Sequence, residues 1–345
     1  MRGRATGINP GVLRSDLRGS LTFAFDASAR GFDAGSDLTA SFSDITGRLR
    51  GLAASGGGTL THAGTTWGFS NVRVGLGTAH LALDGRVGER VDVRFATSLH
   101  DLSLLAPGAQ GELKASGTVR GTLAEPDIVA SAHGGDFAWQ GVTLKAFDAD
   151  INFNPGAATQ ESKIDARLRQ LSFAGRTLET VVLTLDGPPA AYSVHLAATA
   201  TGLAFGAQAV GQYARGIFDG QLTALSVTGN EQLRLSLEQP VDLMVGLERA
   251  EVQWLCLVGT PGSLCADGQW SPESWSATLS ANQLPLTTLT AGMTPAVEYT
   301  GTVSAHAQVA GGGAKPLQGT LTAQLANAEI RHRLVSHKGG GRTCP

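Results

Sequence analysis

Apolar and polar side chains alternate along this chain with a period of two, most clearly in Phe147–Asn154, FDADINFN. Phe147, Ala149, Ile151 and Phe153 fall on one side, and Asp148, Asp150, Asn152 and Asn154 on the other. Wound as a helix, the segment would scatter both kinds around its circumference and gain no burial. Extended, it has a dry face and a wet one, which predicts a half-buried strand. The same sorting recurs in Leu21–Asp26, Ile164–Leu168, Val181–Asp186, Val241–Val245 and Trp275–Ala281. In Val91–Leu99 the residues Val91, Val93 and Phe95 oppose Asp92 and Arg94, and in Leu233–Glu238 the residues Leu233, Leu235 and Leu237 oppose Arg234 and Ser236. Asn154-Pro155-Gly156, Gly187-Pro188-Pro189 and Gly229-Asn230 read as turns between strands, as does the triple Gly56–Gly58. Helical signal is confined to short turns at Leu99–Pro107 and Leu284–Met293.

One frame is written twice. GELKASGTVRGTLAEP (Gly111–Pro126) returns as GTVSAHAQVAGGGAKP (Gly301–Pro316), so that Gly111, Gly121 and Pro126 map onto Gly301, Gly311 and Pro316. Leu113, Ala115 and Val119 fall on Val303, Ala305 and Val309. Each copy reads as a strand bounded by glycines that can take a positive φ, with proline where the chain leaves the ladder. Repetition favours a stacked architecture. At about 12 residues per strand and turn there would be roughly 28 strands, and one ladder at about 4.8 Å per strand would run roughly 130 Å. Open sheets rarely exceed about ten strands without curling or splitting. The expected fold is therefore all-β, with strands that curl into a trough, close into a solenoid or break into sandwiches.

Composition narrows the function classes. The chain has 345 residues, 42% of them hydrophobic and only 16% charged, with 46 glycines and a net charge of −3. That excludes wholesale disorder and gives no electrostatic footprint for nucleic acid. No run is long and apolar enough for a spanning helix, and the first residues, MRGRATGINP, lack the apolar core of a signal peptide. Cys256 and Cys265 flank the turn-forming stretch LVGTPGSL, so they either bridge across a hairpin, which implies an oxidising compartment, or stand as two small buried residues on neighbouring strands. Trp254, Trp270 and Trp275 crowd that hairpin and read as the plug of a local core, or alternatively as a binding platform.

Catalytic and metal constellations are thin. Asp148 and Asp150 share a strand face but fit a solvated surface, and His332, His337 and Cys344 match no metal-ligand spacing. No Gly-x-Ser-x-Gly elbow is present, and the glycine clusters do not open a helix. The expectation is a non-enzymatic protein without cofactor or metal.

The stretch Leu102–Gly111 with the following SGTVRGTLAEPDIVASAHGGDFAWQGVTLKAFDADINFN, the segment CLVGTPGSLCADGQW and the second frame TPAVEYTGTVSAHAQVAGGGAKPLQGTLTAQLANAEI resemble the TamB family. These are the inner-membrane-anchored, periplasmic components of the translocation and assembly module, related to AsmA-like and bridge-like lipid transfer proteins. The resemblance implies an elongated repetitive β-sheet curved into a groove, with an apolar concave face along which phospholipid acyl chains lie. It also implies transport between inner and outer membrane, support of outer-membrane and autotransporter protein assembly, and a TamA-like outer-membrane barrel as partner, met through a C-terminal part of the parent. On that reading the chain is an internal piece lacking the membrane anchor. Groove-lining candidates are Val91, Val93, Phe95, Phe147, Ala149, Ile151, Phe153, Leu233, Leu235 and Leu237. Two groove segments are expected, 1–187 and 190–330, with a disordered or truncated tail at 331–345. A β-solenoid filled by its own side chains and a scaffold offering strand edges to client proteins remain as alternatives.

Overall fold

The protein is all-β: among the described residues 22 strands form one antiparallel sheet, joined by hairpins and by short 3-10 turns at Pro10–Val12 and Leu102–Leu104. The structure, a computed structural model, describes residues 1–12, 17–31, 37–104, 106–122, 125–156, 160–229, 233–259, 262–286, 297–313 and 315–332. The expected tail lies outside them from residue 333 onward, as does most of the expected turn at Leu284–Met293. Two compact units divide the chain, Met1–Ala198 with Val210–Asp219, and Thr199–Ala209 with Gly220–Pro345.

The first unit opens with β1 (Arg2–Ile8), β2 (Gly19–Arg30), β3 (Asp37–Leu49), β4 (Leu52–Ala63), β5 (Thr66–Leu76) and β6 (Ala79–Val87). It continues through β7 (Val91–Leu99), β8 (Gln110–Gly121), β9 (Pro126–Trp139), β10 (Val142–Phe153), β11 (Ser162–Phe173), β12 (Arg176–Gly187) and most of β13 (Tyr192–Ala200). From β1 to β12 each strand pairs antiparallel with the next. Sequence neighbours joined by hairpins make a meander, so the solenoid alternative, which stacks successive coils in parallel, does not describe this chain. Gly187–Pro189, expected as a boundary, is the turn between β12 and β13.

β14 (Leu203–Ala214) and β15 (Ile217–Thr228) contribute residues to both units. The second unit adds β16 (Arg234–Leu237), β17 (Val241–Gly246), β18 (Ala250–Gly259), β19 (Ser263–Trp270), β20 (Trp275–Pro285), β21 (Val297–Gly312) and β22 (Lys315–His332). β16 and β17 both pair with β18. They are one line of strand interrupted before Val241, where Pro240 has no amide to give the ladder.

The strands are fewer and longer than the expected 28, reaching 18 residues in β22, because glycine clusters read as turns lie inside strands. Gly56–Gly58 sits within β4, at a register shift against β5. A Cβ on Gly58 would lie 2.6 Å from the Cα of Val72, so the close approach of the two backbones is what requires glycine there. The duplicated frame shares a bulge as well as a strand. Gly111 (φ 113°) and Gly301 (φ 102°) occupy register shifts, opposite Asp136 (φ 50°) and Asn327 (φ 51°) on the following strands. At the other end the copies differ by one residue, with positive φ at Gly121 in the first and Gly312 in the second.

Candidate binding face

Cross-strand partners share a face, so the register shows how far the apolar face of the first unit extends. Ala27 faces Ala40, Ala40 faces Leu60, and Leu60 faces Phe69. The row goes on through Gly85, Val93, Val119 and Ile128 to Phe153. It crosses nine strands, β2 to β10, without a polar side chain, a span of about 38 Å at about 4.8 Å per strand. A second row joins Leu83, Phe95, Gly117, Ala130, Ile151, Ile164 and Leu185. Seven of the ten sequence candidates, Val91, Val93, Phe95, Phe147, Ala149, Ile151 and Phe153, thus lie on one face, and all seven are half-buried. Among the described residues of the first unit only Tyr192 and Ser162 are less than 2% exposed, and every member of the two rows except Ala40 keeps part of its surface exposed.

Closure at its lower margin joins Phe153 to two tyrosines the sequence did not single out. The Phe153 ring lies 5.9 Å from that of Tyr192 and 5.3 Å from that of Tyr213. Tyr213 is on β14, four strands from β10, about 19 Å away in a flat sheet. The sheet therefore curls toward its apolar face here. Tyr192 is 0% exposed, its hydroxyl 3.0 Å from Ser162 Oγ, which accepts the Asn154 amide hydrogen at 2.9 Å. Burial pushes the Tyr192 phenol above its ordinary pKa, partly offset by the Ser162 hydrogen bond, and burial likewise raises Tyr213. At the opposite strand ends, Leu102 of the 3-10 turn packs with Ala79, Leu99 and Ala109, against Leu113 and Phe137. Arg50 reaches that turn with a hydrogen bond to the Ser103 carbonyl at 3.1 Å.

The reverse face is polar and solvated. A recess of about 930 Å³ opens among these strands, lined by Ala82, Ala96, Ser116, Ser131, Asp150 and Lys163 and also by Phe95, Ala130 and Ile151 of the second row. Its charges are largely paired across or along strands, Arg73 with Asp84 at 2.9 Å and Lys163 with Asp165 at 3.3 Å. Asp84 is held below the usual carboxylate range by the Arg73 hydrogen bond and by the Asn71 amide. Asp148 pairs with Arg169 at 3.1 Å, so the two-carboxylate candidate is a salt-bridged surface.

In the second unit the remaining candidates have a different environment. Leu233 and Leu235 are 5% and 7% exposed, in a cluster with Leu257, Leu284 and Val303, and Leu237 packs against it half-buried. Protein already covers this part of the apolar face. Cys256 and Cys265 are direct partners on β18 and β19, joined in a disulfide. Their row continues through Ser280 and His306, so the bond lies on the face opposite Leu257. Trp254 is 73% exposed and Trp270 42%, which overturns their reading as plugs of a local core. A register shift between Val252 and Leu255, with Trp254 at φ 54°, carries that side chain outward.

A family model described as the TamB N-terminal domain matches residues 2–338. The chain belongs to the TamB family. Searches of the curated proteins and of the solved structures found no significant match. TamB proteins belong to the cell envelope and form part of a transport and assembly module. No helix among the described residues of this TamB chain is long and apolar enough to cross a membrane. What its sequence left unmarked is the closure over Phe153 by Tyr192, Tyr213 and Ser162. The local signal was a tyrosine three residues after the Gly187-Pro188-Pro189 turn, a large apolar ring with a hydroxyl that needs a partner once buried.

Proposed function

We propose that this chain is a non-catalytic segment of a periplasm-spanning protein of the translocation and assembly module, and that the apolar face of its first unit carries phospholipid between inner and outer membrane. In that role it supports assembly of outer-membrane and autotransporter proteins, and the full-length parent meets a TamA-like barrel. The observation that supports the reading most is the apolar row from Ala27 to Phe153, uninterrupted over nine strands and, apart from the buried Ala40, half-buried. Each acyl CH₂ that leaves water for such a surface contributes about 0.8 kcal/mol. A row of similar side chains repeats at every strand spacing, so a chain gains burial without a preferred stopping point. The Cys256–Cys265 bond fits an oxidising compartment such as the periplasm.

The test is extraction of a fluorescent phospholipid from vesicles of phosphatidylethanolamine and phosphatidylglycerol. Ile151→Asp should reduce extraction about tenfold or more, because a carboxylate in the lane is desolvated by any acyl chain lying over it. Asp148→Asn, on the reverse face, should leave it unchanged. Equal extraction by wild type and Ile151→Asp would reject the reading.

A further inference from the structure

The apolar face of the first unit is not equally open along both margins, and the difference is sharpest between β9 and β12. At the lower margin the Phe153, Tyr192 and Tyr213 rings meet, with Tyr192 completely buried and anchored to Ser162. At the upper margin, where β9 turns into β10 and β11 into β12, nothing comparable covers the face among the described residues. Trp139 is 41% exposed and Phe173 65%.

By strict alternation Leu144 and Val142 would share the face of Asp148 and Asp150, but the phase changes beside Asp136 (φ 50°) and Gln170 (φ 50°), where Ala146 and Phe147 are both half-buried, so both aromatics fall on the apolar side. Phe137, Leu144, Leu171 and Leu178 form one row across β9 to β12, and Phe137 packs against the buried cluster around Leu99. Two residues further toward the turns on each strand come Trp139, Val142, Phe173 and Arg176, with Trp139 opposite Val142 and Phe173 opposite Arg176. An exposed cation therefore stands at the rim of an apolar face, opposite the exposed Phe173 ring and three strands from the exposed Trp139 ring. Among the described residues no carboxylate pairs with it. From this rim to Ile151 the face runs about 30 Å down β10 at about 3.3 Å per residue, ending at the aromatic closure.

We propose that phospholipid is loaded sideways through this upper margin, the acyl chains passing between Trp139 and Phe173 and the phosphate pairing with Arg176. The proposal rests on the lipid-carrying reading of the same face and adds where the lipid crosses into it. Rings with an apolar body at a wet boundary suit the interfacial region of a phospholipid, and a guanidinium suits its phosphate in charge and in geometry. The closed margin explains why loading has one side. A lipid approaching from below meets Tyr192, which cannot move aside without leaving Ser162 and the Asn154 amide rearranged.

Photo-crosslinking on the whole chain, expressed in a bacterial periplasm, tests this. Benzoylphenylalanine is placed singly at Phe173, Ile151 or Tyr213, the cells are irradiated, and phospholipid adducts are measured by mass spectrometry. Adducts at Phe173 and Ile151 with none at Tyr213 are expected. Arg176→Glu should lower the Ile151 adduct about fivefold, the effect of one cation near an anionic lipid surface, and Arg176→Lys should restore most of it. Adducts at Ile151 and Tyr213 without any at Phe173 would overturn the upper-margin route and leave lipid carriage standing. No adduct at Ile151, in a chain that retains the wild-type β-sheet circular dichroism, would overturn the lipid reading itself and this inference with it. Tyr213 keeps an aromatic ring in the substituted chain, and an unchanged melting temperature confirms that the closure survives.

Discussion

Replacing both Cys256 and Cys265 by serine isolates what the disulfide contributes to the second unit. The two residues are direct cross-strand partners nine positions apart, on the polar face, with Leu257 and its buried cluster on the other side of the same strand. Closing a loop of about nine residues removes roughly 8.7 cal/mol/K of denatured-state entropy, which is about 2.6 kcal/mol at 25 °C. For a unit of this size that corresponds to a melting shift of about 8 °C. Scanning calorimetry of the oxidised chain, the reduced chain and the double serine variant should show one transition falling by about that amount in both altered samples. Because Cys256 and Cys265 lie opposite the leucine cluster, the serines enter no part of that core, and the loss is attributable to the cross-link. A double variant melting within 1 °C of the oxidised protein, with the bond confirmed in the latter by mass, would refute the argument.

Other perturbations separate the remaining parts of the account. Tyr192→Phe should cost about 1 kcal/mol by removing the hydroxyl beside Ser162, whereas Tyr192→Ala should cost about 3–5 kcal/mol by opening the aromatic closure, both read from chemical denaturation. Trp254→Ala should change stability by less than about 0.5 kcal/mol while Leu257→Ala costs about 2–5 kcal/mol, the reverse of the order expected if Trp254 filled a core. Burial raises Tyr192 above its unfolded value, so the folded state holds that proton longer. Its contribution is fully present below about pH 10 and is lost as pH rises through the folded pKa, which tyrosinate absorbance and circular dichroism followed together should show. Asp84 shifts the other way, and its contribution is present above about pH 4 and is lost as pH falls through the depressed folded pKa. Carboxyl NMR titration of wild type and Arg73→Gln should show the depression relieved in the variant.

Alternation in the chain was enough to identify strands such as Val91–Leu99, which is β7 to the residue, because a period of two is a property of the extended backbone itself. It could not tell Ile151 from Leu235. Both sit in the same apolar-polar pattern, yet Ile151 is half-buried on an uncovered face and Leu235 is 7% exposed inside a cluster drawn from several strands. What distinguishes them is how far the sheet curls, and curl depends on contacts between strands distant in the chain, such as Phe153 with Tyr213. Glycine misled for a related reason. At Gly58 it serves the close approach of two paired backbones inside a sheet, and sequence alone reads the same residue as a turn, whereas the positive φ expected at Gly111 is found there. Trp254 was misread because a bulge of one residue redirects a side chain without disturbing the pattern on either side.

The central claim is that the apolar face of the first unit holds acyl chains rather than protein. Native mass spectrometry of the chain purified from a bacterial periplasm, followed by lipid extraction, tests it most directly. The account predicts bound phospholipid, lost in Ile151→Asp while the β-sheet circular dichroism persists. A folded protein free of lipid, or lipid retained by Ile151→Asp, would contradict it.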